Sequence, residues 1–328
     1  MMTDSTSTLP QSRPPPLLLS RLAPLALLPL LLGAAPGPQP VPAAVATPDA
    51  GAGPSPILPP PTVNPGQRTC GPWRSVEVVL KSSIAGALGA AVPDGGDQLA
   101  AHYARIFMWD LDLRKDLVPG DAISVLWRRT PAGELEIGAA SYHSQRLQRT
   151  LRAHRFLQPQ DIHPSYWDDE GQEIPRRLKA SPLAQYEQIT ALLKDRPTHR
   201  GMDFKAPTGT EVLAPRAGTV TRRDWKLRGN GRCLEIRFDD GVLAKFLHLS
   251  VLKAAAGARV RPGQVVALTG NTGRSTAPHL HYQLERGSRT VDPIDYHGWE
   301  RRRLVGQALT DFKAGVARMA TVCTGSAP

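Results

Sequence analysis

Gly270-Asn271-Thr272-Gly273-Arg274-Ser275-Thr276-Ala277-Pro278-His279-Leu280-His281-Tyr282-Gln283-Leu284 is a turn-rich loop that runs into a strand. Gly270, Gly273 and Pro278 shape the loop, and the run from Leu280 to Leu284 has strand character. Side chains alternate across a strand, so His279 and His281, two apart, face the same way. Both imidazoles can enter one pocket. Two further pieces belong with this stretch: His199-Arg200-Gly201-Met202-Asp203 and Phe246-Leu247-His248. The three pieces hold four of the chain's nine histidines. Neutral imidazole and carboxylate are zinc donors, and a hydrolytic zinc site takes three protein ligands while keeping one position for water. Four histidines and Asp203 exceed that number. Two histidines are therefore left for proton transfer and oxyanion stabilisation.

The order and spacing of His199-x-x-x-Asp203, His248 and His279-x-His281 resemble the zinc peptidases of the lysostaphin and LytM type, family M23. The flanking Gly201-Met202-Asp203-Phe204-Lys205-Ala206-Pro207-Thr208-Gly209-Thr210 is similar too. The likeness spans about residues 183–298. It implies Zn²⁺ held by His199, Asp203 and His281, with His248 and His279 serving catalysis. It also implies hydrolysis of a peptide bond in peptidoglycan stems or cross-links, with the D-Ala–diaminopimelate bond as the target in Gram-negative relatives. His279 is then the candidate base and His248 the group that polarises the carbonyl, the two roles being exchangeable. The chain departs from the family pattern in three places. The approach before His199 is short, Phe246-Leu247 replaces a commoner Tyr-Ala, and Gln283 stands where an acid is frequent. Two other readings stay open. One is a non-catalytic LytM-like module that binds murein and activates an amidase, against which every ligand position is filled. The other is a basic wall-binding scaffold.

Around that likeness, punctuation by Pro207, Gly209, Pro215, Gly218, Asp239-Asp240-Gly241 and Pro262-Gly263 divides residues 183–298 into short strands. Leu234, Ile236 and Phe238 alternate, and Leu243 to His248 returns after the Asp-Asp-Gly turn. This pattern predicts a mainly antiparallel β catalytic domain, a sandwich or open barrel. Residues 73–182 read as an α+β accessory region. Val76, Val78 and Leu80 alternate, as do Ile123, Val125 and Trp127. Asp97 is the expected cap of a helix running to about Trp109. Trp167-Asp168-Asp169-Glu170 reads as a solvated turn, and His102, His143, His154 and His163 as ordinary surface or core histidines. Phe107 to Asp112 and Asp116 to Asp121 are similar to the regulatory region of Gram-negative M23 endopeptidases. That similarity implies a segment packed across the groove, against the plain alternative of a spacer beside an open one.

At 328 residues the chain has room for two modest domains, and its prolines are uneven, 18 of 32 preceding Trp73. Residues 1–46 carry Arg13 and Arg21, then the apolar run Leu22 to Leu32, then small residues. This is the layout of a secretory signal peptide or an uncleaved membrane anchor in the inner membrane. Residues 47–72 read as a Pro/Ala/Gly-rich linker. Residues 299–328 form a helical tail, with Leu304, Ala308, Phe312 and Val316 at helical spacing. An export signal places the protein in the periplasm or cell envelope. Three cysteines are too few for a disulfide-built scaffold, but Cys70 and Cys323 could pair in an exported protein, leaving Cys233 odd. The net charge of +11 suits a carboxylate- and phosphate-bearing wall polymer. Nucleic acid is not expected as a partner: the sequence carries no nucleic-acid motif.

Overall fold

The computed structural model describes residues 66–322, which lie within one compact unit. The signal or anchor (1–46), most of the expected linker and Cys323, with its pairing to Cys70, lie outside the described residues. Cys233 is buried and free.

The first half is a six-stranded antiparallel meander in chain order: Gly66–Cys70, Trp73–Val79, Ala122–Arg129, Leu135–Ser144, Arg149–Phe156 and Ser165–Trp167. Its first strand falls inside the stretch expected to be linker, where it pairs with Trp73–Val79. Two helices, Ile84–Ala91 and Gly96–Phe107, interrupt the meander. Ser83 caps the first through its hydroxyl, which accepts from the Gly86 amide at 3.1 Å. The second begins after Gly95, whose φ of 94° suits a glycine, so Asp97 sits in the first turn and is not the expected cap. Leu99, Tyr103, Ile106 and Phe107 form its buried stripe. Phe107 packs with Tyr103 and reaches Tyr142 of the sheet.

The second half is built around an antiparallel sheet. Its order is Arg259–Val260, Gly218–Arg223, Arg232–Phe238, Leu243–Leu249, His279–Arg286, Met202–Lys205 and Gln188–Ala191, with Arg289–Val291 added beside His279–Arg286. A smaller sheet joins Glu211–Leu213, Val265–Leu268 and Val251–Leu252. The expected antiparallel β character of this region is observed. The apolar core is continuous between the halves, running from Leu99, Phe107 and Trp127 through Ile174, Leu178 and Leu183 to Phe204, Phe246 and Tyr282.

The tail helix Gly306–Thr321 docks through Phe312, which joins Trp167 and Leu304 in a second cluster. Trp167 is fully buried beneath Arg302, so the expected solvated turn is solvated only from Asp169 onward. The reason is the tail: once Phe312 and Leu304 cover this edge, the indole gains more by burial than by staying at a turn. Arg302 also binds the buried Glu173 carboxylate with both Nε and Nη2, and Arg177 binds the same carboxylate.

Candidate metal centre and active-site groove

Asp203 and His281 are directly opposed residues on neighbouring antiparallel strands, a register that sets their side chains on one face at short range. His281 Nδ1 lies 2.7 Å from Asp203 Oδ1. His199 enters from the loop before the Asp203 strand, its Nε2 3.0 Å from Asp203 Oδ2. One donor atom from each residue lies within 4.8 Å of the others, and all three side chains are buried.

Gly201 makes this turn feasible. A Cβ there would meet the Tyr282 carbonyl at 2.5 Å and His281 Nε2 at 2.8 Å, so any side chain would push His281 out of line.

The tautomer of His199 is set by its surroundings. Its Nδ1–H donates to the Leu192 carbonyl at 2.7 Å, which turns the Nε2 lone pair inward. That buried Nε2 has no hydrogen-bond partner despite its closeness to the carboxylate. A lone pair and a carboxylate oxygen facing each other out of water call for a cation between them, which fits a metal held by two imidazoles and a carboxylate. Burial alone would raise Asp203, yet the adjoining imidazoles of His199 and His281 overcome it and hold the carboxyl well below the usual range. Burial alone would lower His199, and the neighbouring Asp203 charge outweighs it, so His199 is raised.

His248 reaches the same cavity by a backbone irregularity. Arg232 pairs with Leu249 and Leu234 with Phe246, so Leu247 and His248 together oppose Cys233: a β-bulge. His248 sits in the left-handed region at φ 63°, unusual for a residue with a side chain. A strained residue at a bulge is a common way to re-aim a functional side chain. Its Nδ1–H donates to the Thr272 carbonyl at 2.9 Å. Thr272 is itself fixed, its hydroxyl donating to the Leu249 carbonyl at 2.7 Å and accepting from the Arg232 amide at 2.9 Å. Burial holds His248 below the ordinary imidazole value.

His279 Nδ1–H donates to the Ala277 carbonyl at 2.8 Å, with the Ser275 hydroxyl 3.1 Å away. The His248 and His279 rings lie 4.7 Å apart and the His199 and His281 rings 5.1 Å apart. All five sequence-derived residues, His199, Asp203, His248, His279 and His281, thus line one cavity of about 780 Å³.

Sequence reading missed other parts of this groove. His102 and Arg105, from the accessory helix Gly96–Phe107, line it, as do Arg196 and Arg274. A helix more than 90 residues upstream gives no local signal that it will meet the zinc motif. Nor did Thr272 stand out, since its role is played by its carbonyl and by a hydroxyl bridging two strands. The departure at Gln283 is accommodated: its amide donates to Glu285 Oε1 at 2.5 Å, while its Oε1 lies 3.5 Å from His281 Nε2.

The family described as "Peptidase family M23" matches residues 197–293. An "Uncharacterized metalloprotease" of Haemophilus influenzae is 28% identical over 234 residues, covering 68% of this chain and 48% of the relative. The "Peptidoglycan DD-endopeptidase ShyC" of Vibrio cholerae is 29% identical over 227 residues, covering 64% and 50%. The "DD-carboxypeptidase/endopeptidase Mpg" of Neisseria meningitidis is 42% identical over 96 residues, covering 29% and 22%. The chain spans about half the length of the first two relatives. Residues 197–293, which hold His199, Asp203, His248, His279 and His281, are thus a domain that matches peptidase family M23.

Proposed function

We propose that this chain is a zinc-dependent endopeptidase that hydrolyses peptide bonds of peptidoglycan cross-links at the cell envelope, residues 183–298 carrying the chemistry. The observation that carries the reading is the convergence of His199, Asp203 and His281 on one point, with two further histidines in the same cavity. The names of the Vibrio and Neisseria relatives support a DD-endopeptidase target, and within it we propose the D-Ala–diaminopimelate bond that the sequence resemblance implies. No described helix is long and apolar enough to cross a membrane, and the expected inner-membrane contact rests on residues 1–46 alone.

His199 Nε2, an Asp203 oxygen and His281 Nδ1 would hold the zinc. A bound zinc supplies the Lewis acidity that makes water a nucleophile near neutral pH. The protein's part is positioning and proton transfer. His248 is kept neutral by burial, its Nδ1–H spent on Thr272, so its Nε2 is free to accept a proton from the attacking water. A metal cation nearby would push His248 the same way. His279, half-buried at the groove edge with its Nδ1–H spent on Ala277, can donate toward the developing oxyanion only through Nε2–H, as an imidazolium. This is the exchanged form of the two sequence-derived roles, selected by the greater burial of His248.

Purified murein, digested with and without a chelator and resolved by mass spectrometry, tests the reading. Chelator-sensitive release of peptides cut at the cross-link is the expected result. Chelator-insensitive products, or cuts in the glycan, refute it.

A further inference from the structure

Arg105 and Arg196 come from opposite halves of the chain and line the same cavity as the metal-binding cluster. Arg196 Nη2 lies 3.4 Å from Asp203 Oδ2, which sets its guanidinium at the edge of the cluster. Arg105 is half-buried and makes no ion pair or hydrogen bond among the described residues. Burial and then the charge of Arg196 make Arg105 harder to keep protonated than an ordinary arginine. Arg274, exposed, adds a third cation.

Of these cations Arg196 has Asp203 as an ion-pair partner, while Arg105 has none among the described residues. Asp203 is engaged by two imidazoles, and Asp195 accepts from the Leu192 amide at 2.6 Å. Lys205, by contrast, is already neutralised by Glu187 at 2.6 Å. A half-buried guanidinium with no acid partner, as at Arg105, is a local cost, and such costs persist where a ligand supplies the missing charge. Planar guanidinium groups match a carboxylate with paired hydrogen bonds.

We infer that Arg105 and Arg196 form a carboxylate-binding subsite that reads a free carboxylate on the carbon bearing the scissile amide nitrogen. This rests on the endopeptidase reading above and deepens it. In a cross-link to a diamino diacid such as diaminopimelate, the acylated amine sits on a carbon that also bears a carboxylate, next to the bond that breaks. The accessory half thereby supplies a specificity determinant.

The test uses the full zinc-loaded chain and two synthetic cross-linked peptide dimers that differ only at that group, one a carboxylate and the other a carboxamide. The wild type is expected to favour the acid in kcat/KM by about tenfold, the loss of one charge-assisted contact being worth about a decade. Arg105→Gln and Arg196→Gln should each shrink that ratio to about threefold, and the double variant should bring it near one. Ratios within one protein cancel differences in active fraction, and Arg196, on an exposed loop, serves if Arg105→Gln folds poorly. A wild-type ratio near one, or a ratio unmoved in Arg196→Gln and the double variant, overturns the inference while leaving the peptidase standing. Cleavage of neither dimer by folded, zinc-loaded protein refutes the endopeptidase reading instead. Calorimetric binding of the two dimers then decides the subsite, tighter binding of the acid supporting it and equal binding overturning it.

Discussion

Substituting Asp195 by alanine should weaken zinc binding without touching a ligand. Asp195 Oδ2 accepts from the Leu192 amide at 2.6 Å, and the carbonyl of that same Leu192 accepts from His199 Nδ1 at 2.7 Å. The carboxylate therefore shapes the turn that fixes the His199 tautomer. Arg114 of the accessory half grips the same turn, donating to the Lys194 and Asp195 carbonyls at 3.2 and 3.0 Å. Asp195 is exposed, so its hydrogen bond is worth about 1 kcal/mol rather than the larger value of a buried charged one. Releasing 1 kcal/mol from the zinc-competent loop raises the metal Kd about fivefold. Loss of a contact behind a metal ligand commonly costs ~10-fold or more, so fivefold is the lower bound. Competition against a chromophoric chelator reads the Kd directly, and Arg114→Ala should move it in the same direction. Zinc affinity within a factor of about two of wild type in both variants, with folding intact, would refute the claim that this turn sets His199 for the metal.

Gly201→Ala should purify with less than stoichiometric zinc by elemental analysis, because its Cβ would sit 2.8 Å from His281 Nε2 and 2.5 Å from the Tyr282 carbonyl. His248→Ala should keep full zinc while kcat on murein peptides falls by about 10² or more, and a smaller loss would remove the proton-acceptor role. Glu173→Gln should destabilise the fold by about 3 kcal/mol at neutral pH, since Arg177 and Arg302 would be left facing a neutral amide in a buried site. Burial would raise the Glu173 carboxyl, but the two arginines hold it at about 2 against an ordinary 4.5. A depressed folded value means the contribution is present above about 4.5 and drains away as pH falls toward 2, so denaturant curves of wild type and variant should converge over that window.

The metal cluster was legible because its information is local and periodic. His279 and His281 share a strand face by two-residue alternation, and His199 and Asp203 sit within one short turn. The alternating strands of both halves were legible for the same reason. What failed to show was set by distant packing. Trp167 looked like part of an acidic surface turn, and only the tail helix, through Phe312 and Leu304, buries it. The Ile84–Ala91 helix has small residues and a weak stripe, so its apolar spacing carried little signal until the sheet lay beneath it. The bulge that turns His248 inward depends on how Arg232 and Leu234 register against Leu249 and Phe246, and a single strand does not encode its partner's register.

The accessory half, expected as a possible cover, has a more definite relation to the groove. Its helix Gly96–Phe107 supplies His102 and Arg105 to the cavity wall, and Arg114 holds the turn behind His199. From beyond the catalytic strands, Arg301 reaches back to Asp110 at 2.7 Å. These polar ties lie over an apolar core that runs without a break from the first half to the second. Separating the halves would expose that shared core, at roughly 25 cal/mol per Å² of apolar surface returned to water. A wall attached in this way acts on the site by what it presents to the substrate and by how it braces the ligand loop. We propose that regulation through this half acts at Arg105 and Arg114, where it touches the groove and the His199 turn, more readily than by wholesale release of one half from the other.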